Sequence, residues 1–227
     1  MKFKIVSLFV LCAILISCGT SRQGGKKQRK GTKAQVVLTP EQQRKYDYFF
    51  LEASRLKMKD DYSAAFDLLQ HCLTINPNAS SALYEISQYY MYLKQVPQGQ
   101  AALEKAVEND PDNYWYSQGL ASLYQQQNEM QKATNLLESM ATRFSDRMDP
   151  LYSLLDIYNR LEEYDNVITT LNRLEEKMGK NEQLSMEKFR IYLQKKDNQS
   201  AFREIESLVE EYPMDMRYQV ILGDVYM

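Results

Sequence analysis

Asn76-Pro77-Asn78 recurs as Asp110-Pro111-Asp112, with the two prolines 34 residues apart. Continuing in steps of 34 reaches Ser145, Gly179 and Pro213, so the register survives two lost prolines and no insertion interrupts it. Units of this period start at Tyr46, Ser80, Tyr114, Met148, Glu182 and Met216. The same step aligns a column of small residues, Ala65, Gly99, Ala133, Val167 and Ala201. It also aligns Tyr90, Tyr124, Tyr158, Tyr192 and Tyr226, with Leu56 in the first unit, and a third column of Cys72, Ala106, Met140, Leu174 and Leu208. Small residues where two helices approach, flanked by large ones at helical spacing, are what a close-packed helix-turn-helix needs. One such unit has too little core to be stable alone, whereas stacked units bury a continuous one.

With these columns the chain resembles the tetratricopeptide repeat family. Leu222-Gly223-Asp224-Val225-Tyr226 carries that family's Leu-Gly-x-x-Tyr signature intact, and Leu120-Ala121-Ser122-Leu123-Tyr124 nearly so. The closing half of the repeat matches in Ala65, Leu69, Cys72 and Pro77, and again in Gly99, Leu103, Ala106 and Pro111. The resemblance implies an all-α fold, a right-handed superhelical solenoid of antiparallel helix pairs, over residues 39–227. Glu52 and Lys188 stand where the family usually has Leu, and Phe189 where it has a small residue, so the first and fifth units are expected to pack less regularly. Thr39, Pro40 and Gln42 form a capping-box signature, which predicts that the first helix begins several residues before the repeat boundary. The sixth unit supplies one helix without its partner, leaving Ile221, Leu222, Val225 and Tyr226 partly uncovered, and the array is expected to continue in a longer chain.

The 227 residues are 44% hydrophobic and 26% charged, a globular profile. The charge is uneven. Eight of the 28 Lys and Arg lie in the first 34 positions and no acidic residue precedes Glu41, so the rest carries 20 basic against 30 acidic residues, a net −10. An acidic body argues against nucleic-acid binding, which needs a basic face to neutralise phosphates.

The amino terminus reads differently. Lys2 and Lys4 precede the apolar run Ile5–Ile16, which is too short to cross a bilayer and has the layout of a signal peptide. Leu15-Ile16-Ser17-Cys18 resembles the lipobox of bacterial lipoproteins. That resemblance implies removal of residues 1–17, acylation of Cys18 and, because Gly19 rather than Asp follows, an outer-membrane location, with the periplasmic face preferred. Residues 18–38 then form a polar, basic, disordered tether. Cys12 would leave with the signal peptide and Cys18 would be acylated, so Cys72 could form no intramolecular disulfide and the fold must rest on packing.

No catalytic constellation is legible. His71 and Cys72 are adjacent, and neighbours on a helix point about 100° apart; Cys72 belongs to a packing column. One His and one unmodified Cys make no usual zinc site, and there is no glycine-rich phosphate loop, so neither metal, cofactor nor small-molecule substrate is expected. The family resemblance implies instead a peptide groove on the inner face of the first helices. The positions that line it are Tyr84, Gln88 and Tyr92; Trp115, Gln118 and Gln125; Tyr152, Asn159 and Arg160; and Arg190. Aromatics mixed with amides and Arg suit protein recognition. The expected function is a lipid-anchored, non-catalytic adaptor or scaffold for envelope proteins. The alternatives are a structural subunit of an outer-membrane assembly or secretion machine, or the repeat region of a longer enzyme or uptake lipoprotein.

Overall fold

Thr39 opens the first helix in the predicted way: its hydroxyl accepts from the backbone N–H of Gln42, whose side chain accepts in return from the Thr39 N–H. The computed structural model describes residues 37–226, so the signal-peptide segment, Cys18 and the basic tether lie outside the described residues. Among those described there are eleven helices and no strand. They are α1 (Pro40–Lys57), α2 (Tyr62–Ile75), α3 (Ser80–Tyr92), α4 (Val96–Asn109), α5 (Tyr114–Gln126) and α6 (Met130–Arg143). Then follow α7 (Asp149–Arg160), α8 (Tyr164–Met178), α9 (Glu182–Gln194), α10 (Asn198–Glu211) and α11 (Met216–Tyr226).

Consecutive helices pair, and the pairs stack into a helical solenoid of two layers. Contacts between alternate helices define the layers. In the odd-numbered layer Tyr46 meets Ser81 (2.9 Å), Lys57 meets Glu85 (2.7 Å) and the Tyr84 ring stacks on Tyr116. In the even-numbered layer Arg173 of α8 reaches back to Glu138 of α6 (2.8 Å). Between the layers lie the periodic columns. The small-residue column Ala65, Gly99, Ala133, Val167 and Ala201 is buried throughout, as is the column Cys72, Ala106, Met140, Leu174 and Leu208. Gly99 marks the closest approach, because a methyl group there would stand 3.1 Å from the Ser87 carbonyl oxygen and 3.0 Å from the Met91 sulfur. The core is fed by all the pairs, and Tyr192 packs against both its central and its C-terminal parts.

The turn within each pair repeats as faithfully as the core. Asp60, Lys94, Asn128, Glu162 and Lys196, each 34 residues after the last, adopt positive φ between 56° and 61°. The residue after each donates its N–H five residues back: Asp61 to Leu56, Gln95 to Tyr90, Glu129 to Tyr124, Glu163 to Tyr158 and Asp197 to Tyr192, at 2.8–3.0 Å. This is the Schellman arrangement that satisfies the last carbonyls of a helix. It is built here with no glycine. Asp61 and Asp197 then cap the second helix of their own pair by accepting from Ala64 and Ser200.

Between pairs, the last turns of α4, α6 and α8 clasp the preceding loop. Asn109 donates to the Asn78 carbonyl (3.1 Å), Arg143 to Asp112 (2.8 Å) and Lys177 to the Ser145 carbonyl (2.5 Å). Asn109, Arg143 and Lys177 are 34 apart, three unlike side chains with one task.

The two positions where irregular packing was expected take different routes. Glu52 stays half-buried and is held by Arg55. Lys188 is instead drawn into the interior, between Glu175 at 2.9 Å and Glu204 at 3.0 Å, and Phe189 is buried beside it in the C-terminal part of the core. Glu175 and Glu204 are both committed to this triad.

Candidate peptide-binding face

The first helix of each pair buries one stripe against its partner, so its opposite stripe is free to carry other side chains. The structure divides the sequence-predicted candidates into those that reach solvent and those already engaged. Tyr84 is half-buried and its ring stacks on Tyr116 of the next unit, with centroids 4.7 Å apart and planes 27° off parallel. Gln118 is half-buried and accepts from the Tyr114 hydroxyl at 3.1 Å, and Gln125 is half-buried as well. Tyr84 is thus held against the next unit, Gln118 is tied to its own helix, and Gln125 is only partly open to solvent.

The exposed set is Gln88, Tyr92, Trp115, Tyr152, Asn159, Arg160 and Arg190. Tyr92 is 80% exposed, Trp115 64% and Tyr152 48%. Large apolar side chains left this open on three consecutive units are the feature to explain, because single exposed residues are common but a series is not. Arg160 faces Asp156 at 3.9 Å and Arg190 pairs with Glu187, so both cations are matched along their own helices.

Trp115 does not stand alone. It meets Tyr114 edge-on (5.3 Å, 82°), and the Arg147 guanidinium lies 3.9 Å from the Tyr114 ring centroid and 5.4 Å from that of Trp115. A guanidinium over an aromatic face contributes about 0.5–1 kcal/mol at an exposed site. Burial pushes the Tyr114 hydroxyl above its ordinary value, with the Asp149 carboxylate adding to the rise. Tyr152 is steered by its hydroxyl, which donates to the Met178 sulfur at 3.3 Å. Arg147 escaped the sequence reading because it lies in the loop between α6 and α7, outside the periodic helical positions.

A second recess lies where the α1–α2 turn meets the C-terminal end of α3. Lys57, Tyr62, Gln88, Tyr89 and Tyr92 enclose about 360 Å³. The Tyr62 ring centroid lies 6.4 Å from those of both Tyr89 and Tyr92. The Tyr62 hydroxyl donates to Asp60 at 2.7 Å, and that bond holds it protonated to higher pH than usual. Tyr62 and Tyr89 were not among the sequence candidates, since one begins a second helix and the other occupies a core position.

Cys72 is fully buried, its thiol pushed up to about 11 by desolvation and pointed at the Tyr46 carbonyl oxygen, 3.8 Å away. His71 packs against Phe49 (5.5 Å). Among the described residues no cluster of three or more His, Cys, Asp or Glu could hold a metal ion, and no helix is long and apolar enough to cross a membrane.

Residues 80–113 match the family model described as tetratricopeptide repeat. No curated protein matches the sequence. Solved structures of similar fold include a tetratricopeptide repeat protein from Parabacteroides merdae, at TM-score 0.55 and 17% identity over 81% of this chain and 73% of that one. MamA is similar at TM-score 0.54 and 18% identity, over 78% of this chain and 96% of that one. So is YrrB, a TPR protein with an unusual peptide-binding site, at TM-score 0.52 and 13% identity over 76% and 89% of the two chains. The fold of this chain is therefore that of tetratricopeptide-repeat proteins.

Proposed function

We propose that this protein is a non-catalytic adaptor that binds protein partners in the bacterial cell envelope, held at the outer membrane by acyl chains on Cys18 and facing the periplasm. The observation that carries the binding role is the exposure of Tyr92, Trp115 and Tyr152 on the first helices of consecutive units, rigid aromatic surface that costs stability nothing to cover. The peptide-binding site described for YrrB, a protein of the same fold, supports the same reading. The lipobox-like Leu15-Ile16-Ser17-Cys18 supports the anchor, and the acidic body favours partners with basic surfaces through long-range attraction.

The test is capture from envelope extracts by the full chain and by the double variant Trp115→Ala/Tyr152→Ala. Both side chains are exposed, so the variant is expected to keep its helical circular dichroism while losing captured partners. Unchanged capture would overturn recognition through the first helices. The anchor is tested separately by intact mass of membrane-extracted protein. Added acyl mass on a chain beginning at Cys18 is expected, and its loss in Cys18→Ser.

A further inference from the structure

We infer that the array carries a built-in joint between α8 and α9, at which α9, α10 and α11 open as one cooperative block while the preceding helices stay folded. Such a joint goes beyond the adaptor reading, since it depends neither on the partner nor on the anchor.

Two bonds that tie unit to unit earlier in the array are missing at this junction. The Tyr124 hydroxyl donates to Glu104 at 2.9 Å and that of Tyr158 to Glu138 at 3.3 Å, each reaching from the first helix of one unit to the second helix of the unit before. One step of 34 further on, Asn172 takes the place of the carboxylate and does not bond to Tyr192. Asn109, Arg143 and Lys177 clasp the loop before them, but the next residue in that series is Glu211, whose carboxylate has no N–H to offer the carbonyls of residues 179–181. In that loop Gly179 stands where Pro77 and Pro111 stand earlier, at φ +80° and ψ 167°, and a methyl group on it would meet nothing within 4 Å. The backbone of the joint is therefore neither stiffened by a proline ring nor packed against a neighbour.

The junction is held instead by ion pairs and a few apolar side chains. Lys188 bonds Glu175 and Lys195 pairs with Asp165, both from α9 to α8, while Leu184, Ile191 and Tyr192 reach the central core. A buried ion pair in place of an aliphatic contact adds little net stability. Hydrogen bonding is also incomplete on both sides of the joint. Among the described residues, Glu175 Oε1, Ser185 Oγ and Ser207 Oγ are buried without a hydrogen-bond partner, one on each of α8, α9 and α10. Each unmet group subtracts from the stability of the helices that bury it. A stack of repeats opens where the interface between neighbours is weakest, and a single unit has too little core to stay folded once parted. Trp115 and Tyr152 lie before the joint and Arg190 after it, so opening takes Arg190 away from the exposed face and leaves the two rings in place.

The experiment is native-state amide hydrogen exchange of the full chain, read by mass spectrometry of its peptides. The protected amides of α9 and α10 are expected to exchange together, at least about tenfold faster than those of α5 to α8, with the step falling at residues 179–181. Glu211→Lys places at this junction the side chain that clasps the loop from position 177. It is expected to slow exchange in α9 and α10 by about threefold and to leave α5 to α8 unchanged. Equal protection in α8 and α9 would overturn the proposal. So would a gradual rise in exchange from α7 to α11 without a step, which is the fraying of any chain end, or exchange in Glu211→Lys no slower than in the parent.

Discussion

Lys188 stands in a column whose other members include Ile86, Leu120 and Leu154, all buried, and it follows them into the interior with its side chain 5% exposed. Burial alone would push its ammonium toward neutrality. Hydrogen bonds to Glu175 and Glu204 outweigh that desolvation, and the group stays protonated to higher pH than a free lysine. A buried ion pair is a weak source of net stability, because desolvating the charges consumes most of the attraction, but breaking it leaves charge uncompensated. Lys188→Ala is therefore expected to lower unfolding stability by about 3 kcal/mol, read as a shift of the urea midpoint. Replacing Lys188, Glu175 and Glu204 together with Leu should restore most of the loss. If Lys188→Ala unfolds at the parent's midpoint, the triad carries no such role.

At the scale of elements, the turns inside the pairs hold the clearest stored strain. A non-glycine residue in the left-handed region costs roughly 1 kcal/mol, and Asn tolerates it best after glycine. Of Asp60, Lys94, Asn128, Glu162 and Lys196, all at positive φ, only Asn128 is Asn. Lys94→Asn, Glu162→Asn and Lys196→Asn are each expected to stabilise by about 0.5 kcal/mol. They lie in different units and share no partner, so the gains should add, raising the melting temperature of the triple variant by about 3–6 °C. A triple variant that melts no higher than the parent would show the turns to be relaxed as they stand.

For the whole molecule, burial raises the hydroxyls of Tyr46, Tyr89, Tyr114, Tyr124, Tyr158 and Tyr192 above the ordinary tyrosine value of 10.0. Lys188 is raised as well. Groups raised by folding hold their protons longer in the native state, so their contribution is complete below their unfolded values and is lost as pH climbs through the folded ones. Because these groups recur along the array, the effect is distributed over nearly every unit. The urea midpoint is expected to be level between about pH 7 and 9 and to fall steeply above about pH 10. A midpoint unchanged at pH 11 would contradict the burial of these rings. The acidic groups whose values folding lowers are Glu41, which is exposed, and Glu52, Asp197 and Asp215, which are half-buried and keep contact with solvent. Their contribution is present above the ordinary carboxylate range and fades as pH falls through it, which should make the acid limb shallow.

Much of this was legible because a repeated period acts on residue types that can do only one thing. Ala65, Ala133 and Ala201 must lie where helices touch, Leu174 and Leu208 must be covered, and Thr39-Pro40-Glu41-Gln42 has the chemistry of a helix start whatever surrounds it. The left-handed column was not legible, because Asp, Lys, Asn, Glu and Lys share no visible preference and the turn is imposed by the two helices it joins. Nor were the clasps of Asn109, Arg143 and Lys177, whose common task appears only once the preceding loop is placed beside them. Tyr84 and Tyr92 are the same residue type on one helix, yet one is stacked under Tyr116 and the other stands in solvent, a difference set by the neighbouring unit. Sequence by itself determined the period, the helices and the buried columns, since these follow from local periodicity and hydrophobicity. Tertiary structure alone decided which aromatics remain free, where Lys188 finds its carboxylates and that the Tyr89 hydroxyl is left without a partner, because each depends on side chains far apart in sequence meeting in space, as Lys188 and Glu175 or Tyr84 and Tyr116 do.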